Sequence, residues 1–390
     1  MAPHTTRWGI LATGWISTKF ALDLLVDPST REVSDVKHRI VAVGSRSKDS
    51  AAGFVDKVWQ EAGRTEGKDQ VSLYGSYEEL VNDANIDCIY VGTPHSHHYA
   101  NVHLALSAGK NVLCEKALTV NVAQAEVLVK LAREKNLFLM EAVWTRFQPY
   151  AYKLQEVIRS GAIGSIRGFA ADLCIDFTRT VTKDPSHRIY NPVLAGGALL
   201  DLGPYMWVHA ALLLLPESKA SLDPLPVPKI TAGMVKTESG VDQSTVAVIE
   251  FPQPGKDGQV VQATLTCAQD RESSRNRVVL VQGTKGYLEV QAGTYRPAGF
   301  TYHAWDSEED YGTETKEATK TETYSFAQRP GNIWGFAWEA DEVARCLRDG
   351  KKESDRMPLR ETILQMQVFD EIRRQGDFRY PEELETLDLA

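Results

Sequence analysis

Lys116 is the side chain whose place in this sequence most directly suggests chemistry. It follows the apolar run Asn111–Cys114, which is typical of a buried strand, with only Glu115 between them. The stem of the lysine should therefore be partly buried and its ammonium directed into a cleft at the strand end. Such a lysine can donate a hydrogen bond to a substrate hydroxyl and lower the barrier to proton loss. The alternative is an ordinary strand-end lysine that points to water.

A second chemical feature is the turn Gly9–Ser17, where an apolar strand runs through small residues into a helix. Small residues there let a pyrophosphate approach the backbone and bind the unpaired N–H groups at the helix start. The strict Gly-x-Gly-x-x-Gly pattern is not present, because Ala12, Gly14 and Ser17 stand at its three glycine positions. The turn indicates a dinucleotide site, and a tight strand-to-helix turn without a ligand is the alternative.

The end of the next strand indicates which dinucleotide would bind. That strand, Ile40–Gly44, is followed by Ser45 and Arg46. In a Rossmann fold an acidic residue at this place accepts a hydrogen bond from the ribose 2′-hydroxyl, whereas an arginine pairs with a 2′-phosphate. Because no acidic residue competes here, the sequence favours NADP. The alternative is a solvated surface arginine.

Several histidines follow another strand, Ile86–Gly92, and they invite a metal interpretation. They are His95, His97, His98 and His103. A metal site needs ligands that converge from fixed spacings, and no other Cys/His cluster in the sequence offers the remaining ligands. We therefore predict no metal, and favour a histidine that lies beside the nicotinamide or caps the following helix.

The elements that must position these residues form two regions. Up to about Val143, short aliphatic runs alternate with longer helix-period segments, which predicts successive βαβ units and a parallel sheet. Capping signals at Ser76 and Asn121 mark two of the helix starts. The predicted strands are Trp8–Leu11, Ile40–Gly44, Val71–Tyr74, Ile86–Gly92, Asn111–Cys114 and Leu137–Val143.

The second region begins with a predicted helix, Pro149–Ser160, and then changes to strands with turn punctuation. Loops at Pro252–Gly258 and Gly283–Gly286 fit β-hairpins, so a mostly antiparallel sheet with helices on one face is expected. Ser307–Thr323 is acidic and poor in large apolar side chains, which predicts a solvated loop or a mobile cover. The predicted strands are Ile166–Ile175, Ile230–Lys236, Thr245–Phe251, Val260–Cys267, Arg277–Val281 and Tyr287–Val290, and the final helices are Trp334–Arg348 and Leu359–Arg374.

Length and composition exclude several classes of protein. A chain of 390 residues predicts two domains, and 43% hydrophobic with 24% charged residues is typical of a globular protein. No apolar run approaches the roughly 20 residues of a membrane-spanning helix. A formal charge of −9 without a basic block argues against a nucleic-acid partner. Five scattered cysteines and no secretory signal pattern predict a cytoplasmic protein.

Four ordered motifs make the chain resemble the glucose-fructose oxidoreductase/inositol dehydrogenase family, Gfo/Idh/MocA, over nearly its full length. They are the Gly9–Ser17 turn and the runs Ala108–Lys116, Met140–Phe147 and Gly196–Tyr205. Where the family has Glu-Lys-Pro, Ala117 replaces the proline. Within the family the chain is most similar to the branch of dimeric dihydrodiol dehydrogenases and NADP-dependent D-xylose 1-dehydrogenases, the fungal D-xylose enzymes above all.

The resemblance implies that Lys116, Asp201 and Tyr205 form the catalytic group. The residues agree, since Asp201 and Tyr205 are four apart and share one face of a helix that begins near Gly196. We expect Lys116 to lower the pKa of Tyr205, because a tyrosine is a poor base unless a cation is near. The expected substrate pocket consists of Trp144, Arg146, Asp176, Phe177, Asp201 and Tyr205. The expected cofactor site consists of Ala12, Thr13, Gly14, Trp15, Ile16, Ser45, Arg46, Thr93, Pro94, His98, Glu115, Lys116, Trp144 and Arg146.

The predicted architecture is α/β, with an NADP-binding Rossmann domain over residues 1–146 and an α+β substrate and dimerisation domain over residues 147–390, whose last helices pack back on the first domain. The predicted reaction is hydride transfer from the anomeric carbon of an aldose, D-xylose first, to NADP, which gives a lactone. A trans-dihydrodiol dehydrogenase or dicarbonyl reductase keeps the fold and changes the substrate. A non-catalytic NADP-sensing regulator is the alternative from another class. The resemblance and the uncovered sheet face imply a homodimer.

Overall fold

A parallel six-stranded sheet forms the core of the first half of the chain. The structure is a computed structural model, and it describes residues 2–216, 223–252, 259–305 and 318–389. The strand order is β3-β2-β1-β4-β5-β6. The elements of this half are β1 (His4–Leu11), α1 (Trp15–Leu25), β2 (Val36–Gly44), α2 (Lys48–Glu61), β3 (Ser72–Tyr74), α3 (Tyr77–Val81), β4 (Cys88–Val91), α4 (His98–Ser107), β5 (Asn111–Glu115), α5 (Val122–Glu134) and β6 (Leu139–Ala142).

The apolar strands of this sheet explain why it forms. Every residue of β4 and of β6 is buried, as expected for parallel strands that helices cover on both faces. The strand order reverses between β1 and β4, which are hydrogen-bonded neighbours. In open α/β sheets a ligand binds outside the carboxyl ends of the strands at such a reversal. The fold therefore directs attention to the residues that follow β1, β4 and β5.

The second half builds an eight-stranded sheet in the order β14-β13-β12-β11-β7-β10-β9-β8. Its pairs are antiparallel except for β7 with β10, which run parallel. The elements of this half are α6 (Pro149–Arg159), β7 (Ile166–Cys174), α7 (Thr178–Lys183), α8 (Ala198–Leu214), β8 (Lys229–Lys236), β9 (Asp242–Pro252), β10 (Val260–Ala268), β11 (Val279–Gly283), β12 (Gly286–Val290), β13 (Gly299–Ala304), β14 (Lys320–Ser325), α9 (Ala337–Arg348), α10 (Leu359–Gln375) and α11 (Glu382–Glu385).

One face of the second sheet is covered by α8, which packs on β7, β9 and β10. Alternation along β10 follows from this, because every second residue from Val261 to Cys267 is buried. The predicted fold class, a parallel Rossmann sheet joined to a large and mostly antiparallel sheet, is confirmed.

Three helix starts show how local and distant caps work together. The Ser76 hydroxyl accepts the Glu79 N–H at 3.1 Å, and the Asn121 side chain accepts the Gln124 N–H at 2.9 Å, so both predicted capping signals are confirmed. The turn before α9 is capped from elsewhere in the chain. The buried Asp23 carboxylate of α1 accepts the backbone N–H groups of Trp334, Gly335, Phe336 and Ala337.

The acidic segment Ser307–Thr323 departs from its prediction at its end. Lys320–Thr323 belongs to the edge strand β14, which pairs with β13, so the predicted loop is wrong there. An edge strand needs only one partner and tolerates polar residues on both faces, which explains why β14 carries so little apolar signal. Residues 306–317 lie outside the described residues.

Both predicted hairpins agree with the strand pairing around them. Gly283 pairs with Gly286 in the hairpin of β11 and β12. In the other hairpin, Pro252 pairs with Val260, and the loop residues 253–258 lie outside the described part of the chain.

The last helices lie against the first sheet. Helix α9 packs on β1 and β2, and α10 packs on α5. The contact includes a buried ion pair, in which Asp341 of α9 accepts two hydrogen bonds from Arg31 and faces a ring nitrogen of His38 at 2.8 Å. A bidentate arginine–carboxylate pair fixes geometry more strictly than a single hydrogen bond does.

Candidate active site

A cleft with a volume of about 590 Å³ opens at the carboxyl ends of β1, β4 and β5. Its other wall comes from α8 and the second sheet. This volume is ordinary for a small-molecule site. The predicted site residues that line the cleft are Gly14, Trp15, Ile16, Thr93, Pro94, His98, Glu115, Lys116, Trp144, Phe177, Asp201 and Tyr205.

The cofactor turn presents backbone amides to the cleft. Gly14 precedes α1 in an extended conformation, and no side chain caps the helix start. An anion can bind there because the first N–H groups of a helix have no partner within it. Ala12 stands at the first glycine position of the fingerprint and has a φ of 80°. Glycine adopts this backbone conformation most readily, so the turn keeps the conformation although the glycine is replaced.

A group of hydroxyls extends this turn away from the cleft. The Thr13 hydroxyl lies 3.1 Å from that of Ser45 and 3.2 Å from that of Ser50. Ser45 is buried, whereas Arg46 beside it is exposed. Hydroxyl donors next to an arginine suit a phosphate group. Ala12 and Thr13 of the turn, and Ser45 and Arg46 after β2, thus lie beside the cleft rather than in its wall.

Lys116 is buried and points across the cleft toward α8. Its Nζ donates to the backbone carbonyl of Asp201 at 2.7 Å and lies 3.1 Å from the Asp201 carboxylate. The alternative of a lysine that points to water is wrong, because packing at the strand end directs the side chain inward. The position of the ammonium is therefore fixed by two acceptors.

The Asp201 carboxylate is shared by two cations. The Arg188 guanidinium also contacts it, with 3.3 Å between Nη1 and Oδ1. Burial alone would raise the pKa of Asp201, but the charges of Arg188 and Lys116 outweigh it and hold that pKa well below its ordinary value. Asp201 is therefore a carboxylate throughout the physiological range.

Tyr205 stands one helical turn from Asp201 and directs its hydroxyl at Trp144, whose Nε1 donates to it at 3.1 Å. The Lys116 ammonium lies 4.9 Å from the centre of the Tyr205 ring. Burial, and then the charge of Glu115, raise the pKa of Tyr205 well above its ordinary value. The expectation that Lys116 lowers this pKa is wrong, because Asp201 takes up the charge of the lysine and burial dominates.

The two buried histidines below Lys116 form no metal site. His98 places one ring nitrogen 2.8 Å from the Ala117 carbonyl and the other 2.8 Å from the Thr93 carbonyl. Burial lowers the pKa of His98 to about 4 and that of His95 to about 3, so both rings are neutral at neutral pH. Over the described residues, no group of three or more His, Cys, Asp and Glu side chains is arranged to hold a metal.

Glu115, the residue before Lys116, is buried, and its carboxyl group is hydrogen-bonded within the protein. The Tyr90 hydroxyl donates to its carboxyl group at 2.6 Å. Burial raises the pKa of Glu115, although the Tyr90 hydrogen bond and the Lys116 charge act in the opposite direction.

Two residues of the predicted substrate pocket do not reach the cleft. The buried Arg146 guanidinium pairs with Glu361 and has Nη1 3.0 Å from the Met357 sulfur, so it joins the short 3-10 helix Trp144–Phe147 to α10 and does not point into the cleft. The Asp176 carboxylate accepts the N–H and hydroxyl of Thr178 at the start of α7. Both expectations are corrected, because spacing in the sequence did not reveal these structural partners.

The cleft also contains residues that sequence reasoning missed. Most come from the second half of the chain and, except for Leu202 in the run Gly196–Tyr205, lie outside the sequence motifs. Gly92 and His95 are exceptions, since both belong to the segment that follows β4. The missed lining residues are Gly92, His95, Leu173, Ile175, Arg188, Leu202, Tyr295, Trp334 and Phe336.

Both halves of the chain match models of one protein family. Residues 6–143 match the NAD-binding Rossmann fold of the oxidoreductase family GFO_IDH_MocA. Residues 152–289 match the GFO/IDH/MocA C-terminal domain. The chain belongs to the Gfo/Idh/MocA oxidoreductase family.

Particular relatives are similar over nearly their whole length. A D-xylose 1-dehydrogenase (NADP(+)) from Hypocrea jecorina is 42% identical over 392 residues, which cover 98% of this chain and 95% of that protein. A trans-1,2-dihydrobenzene-1,2-diol dehydrogenase from Homo sapiens is 32% identical over 384 residues, which cover 97% of this chain and 98% of that protein.

Solved structures share the fold at lower identity. A levoglucosan dehydrogenase superposes with a TM-score of 0.74 at 16% identity, covering 96% of this chain and 97% of the other. The 3-ketoreductase KijD10 from Actinomadura kijaniata superposes with a TM-score of 0.72 at 24% identity, covering 95% of this chain and 98% of the other. These likenesses confirm the two-sheet architecture. A helix of membrane-spanning length and hydropathy does not occur among the described residues.

Proposed function

We propose that this protein oxidises an aldose, D-xylose first, at the anomeric carbon and reduces NADP⁺, giving the lactone and NADPH. The observation that carries the proposal is the buried cluster of Lys116, Asp201 and Tyr205 opposite the cofactor turn. The 42% identity to an NADP-dependent D-xylose 1-dehydrogenase supports the sugar and the cofactor. We assign the catalytic role to these three side chains.

The residues at the cofactor turn fit a dinucleotide. The uncapped start of α1 offers N–H groups for a pyrophosphate, and the space beside Gly14 is open, since an added Cβ would meet only the Gly92 carbonyl at 4.0 Å. Ser45 and Arg46 would hold a 2′-phosphate, which supports NADP over NAD. Thr93, Pro94, His98 and Trp144 would border the nicotinamide, and Ala12, Thr13, Trp15 and Ile16 the phosphates.

The bound nicotinamide supplies the hydride acceptor, and the side chains of the cleft handle the proton. We assign the substrate hydroxyl proton to the Tyr205 oxygen, which lines the cleft and, among the described residues, has the Trp144 indole as its one hydrogen-bond partner. Its raised pKa keeps the hydroxyl protonated, the form that donates a proton when the reaction runs as a reduction. In the oxidative direction, positive charge beside Tyr205 must offset that preference.

The direct test is a substrate screen of the purified protein that follows NADPH absorbance. D-xylose, glucose, arabinose and a trans-dihydrodiol are compared by kcat/KM, each with NADP⁺ and with NAD⁺. We expect the highest value for D-xylose with NADP⁺. Absence of turnover with every aldose, while NADPH still binds, would refute the proposal.

The second candidate is a trans-dihydrodiol dehydrogenase or a reductase of a dicarbonyl compound. Relatives with the first of these names are 31–33% identical to the chain. Aromatic rings support it, because Trp144 and Phe336 stack with centroids 4.4 Å apart and Tyr295 lies 5.7 Å from Tyr205. A wall of rings suits a planar diol as well as the apolar face of a pyranose. A higher kcat/KM for the dihydrodiol would select this candidate.

We also propose the organisation of the molecule. The boundary between domains is placed after Arg146, where the first sheet has ended and α6 is about to begin. A homodimer is supported by the outer face of the second sheet, which exposes Val235, Val246 and Val260. Five buried free cysteines support a reducing compartment, the cytoplasm. Light scattering of the purified protein tests the dimer.

A further inference from the structure

Arg188 is a charged residue of the cleft that neither the sequence motifs nor the proposed reaction uses. It lies on the connection between α7 and α8 and lines the cleft with Lys116 and Tyr205. Its Nη1 is 3.3 Å from the Asp201 carboxylate, and its side chain is 47% exposed. A half-exposed arginine that reaches into a buried cluster needs an explanation beyond solubility.

Arg188 determines the net charge of the cluster formed by Lys116, Asp201 and Arg188. Lys116 and Asp201 form an ion pair at 3.1 Å, which by itself carries no net charge. Arg188 adds a second positive charge to the same carboxylate, and the Asp201 charge raises the pKa of Arg188 further above its ordinary value. The neighbouring rings of His95 and His98 are neutral at neutral pH, because burial lowers the pKa of each below 5. Lys116, Asp201 and Arg188 together therefore carry one net positive charge, which opposes the effect of the Glu115 charge on Tyr205.

Tyr205 is the group on which this charge acts. After burial, the charges that raise the pKa of Tyr205 are those of Glu115, Asp201 and Glu339. The charge of a deprotonated Tyr205 raises the pKa of Arg188, so the Arg188 cation of the cleft attracts that anion. The titratable groups around Tyr205, over the described residues, are Glu115 at the end of β5 and Lys116 directly after it, Asp201 and His209 of α8, Glu339 of α9, His98 at the start of α4, Tyr295 after β12, and Arg188 and His95 from the connections.

We propose that Arg188 is a positioning residue of the reaction: it shares the Asp201 carboxylate with Lys116 and so leaves the net positive charge that makes proton removal at Tyr205 possible. The inference rests on the proposed function, because it assigns a role within the same cleft. Arg188, which is half-exposed, contacts Asp201 from the connection before α8, while Lys116 contacts it from the residue after β5. Losing Arg188 would leave a neutral pair that still positions the carboxylate but no longer favours an anion beside it.

The test compares Arg188→Gln, Arg188→Lys and the unchanged protein by pH profiles of kcat/KM with the best aldose of the screen. For Arg188→Gln we expect the acidic limb to move up by about one pH unit and kcat/KM at pH 7 to fall about tenfold, since one pKa unit corresponds to a factor of ten. Arg188→Lys keeps the positive charge and should restore most of the profile. NADPH affinity should stay unchanged in both variants.

The matched control is Arg348→Gln. Arg348 is also a partly exposed arginine, 37% by side chain, and pairs with Asp35 at 2.8 Å at the opposite end of β2 from the cleft. This control should keep the wild-type pH profile. If Arg188→Gln does not fold, Arg188→Met, which keeps the apolar stem, replaces it.

Two results would overturn the role of Arg188: an unshifted acidic limb in the folded Arg188→Gln or Arg188→Met variant, or an equal shift in Arg188→Lys. Failure of the proposed function has a different signature, because the unchanged protein would then turn over no aldose at any pH.

Discussion

The two ends of the cleft differ in solvent exposure and in how far apart in the sequence their residues lie. At the cofactor end, short neighbouring turns supply backbone N–H groups and hydroxyls, and Trp15 is 61% exposed. At the reactive end, Lys116, Asp201 and Tyr205 are all buried, and they come from the residue after β5 and from α8, which are far apart in the chain. The cofactor end is thus built from neighbouring segments and is exposed to solvent, whereas the reactive end is built from distant segments and is buried.

This difference determines how each end should respond to change. Charges in water are screened and act nearly independently, so a substitution at the cofactor end should cost one contact. Buried charges depend on their partners, so removal of one leaves another uncompensated. Substitutions at the reactive end should therefore change turnover strongly, while those at the cofactor end should change affinity moderately.

Lys116→Met should produce the largest effect. The variant removes the buried ammonium but keeps an apolar stem of similar length, so we expect kcat with the best aldose to fall about a thousandfold. NADPH affinity, measured by fluorescence titration, should change little.

The chain offers a matched control for this lysine at the other end of the same strand. Lys110 is half-buried before β5, and its Nζ donates to the Asp83 carbonyl at 2.6 Å. Lys110→Met should keep kcat. An unchanged kcat in Lys116→Met would contradict the role assigned to Lys116, because substitution at the reactive end would then affect turnover no more than substitution at the cofactor end.

Tyr205→Phe should lower kcat about a hundredfold, because the ring stays and only the proton-carrying oxygen is lost. The Trp144 Nε1 also loses its acceptor, so the free energy of unfolding should fall by about 1 kcal/mol. Tyr99→Phe is the control, since it removes a partly buried hydroxyl that donates to the Leu387 carbonyl at 3.0 Å, outside the cleft. Equal kcat losses in the two variants would remove Tyr205 from the mechanism.

Arg46→Ala should weaken NADP⁺ binding about tenfold and leave NAD⁺ binding nearly unchanged, because only NADP⁺ carries a 2′-phosphate for a charge-assisted hydrogen bond. Dissociation constants for both cofactors measure this. Arg39→Ala, on β2 but away from the turn, should affect neither. Equal losses for the two cofactors would reject the phosphate contact.

The smallest expected effect is a pH dependence of the free energy of unfolding that comes from a buried histidine at the reactive end. Burial lowers the pKa of His209, which lies one turn beyond Tyr205, from 6.5 to about 4. The unfolded chain binds a proton there that the folded chain does not, so stability is full above pH 6.5 and falls as the pH decreases toward 4. This histidine should contribute about 1.4 kcal/mol per pH unit within the window.

Urea unfolding of the unchanged protein and of His209→Asn at several pH values measures that contribution. The slope of the unfolding free energy between pH 6 and pH 5 should be smaller in the variant. Identical slopes would show that the reactive end does not resist protonation at this ring.

The same contrast explains which features the sequence could reveal. The cofactor turn and the Ser45-Arg46 pair are contiguous in the chain, so their residue types alone indicated their place. The parallel sheet was equally visible because its strands are short apolar runs. Lys116 became interpretable because it directly follows such a strand.

Contacts between distant residues were not visible in the same way. Arg188 precedes its partner Asp201 in a polar connection without a motif. Arg146 was predicted to line the site, and its actual partner, Glu361, is distant in the sequence. The shift in the Tyr205 pKa likewise depends on burial and on Glu115, which spacing does not show. Edge strand β14 was missed because one-sided pairing leaves little apolar signal.

The most direct test of the account uses D-xylose deuterated at the anomeric carbon. If the cleft transfers hydride from that carbon while Tyr205 receives the hydroxyl proton, the NADPH formed will carry the deuterium, as mass spectrometry can show, and kcat/KM will be lower than with unlabelled sugar. NADPH that forms without deuterium, or no NADPH at all, would contradict the central claim.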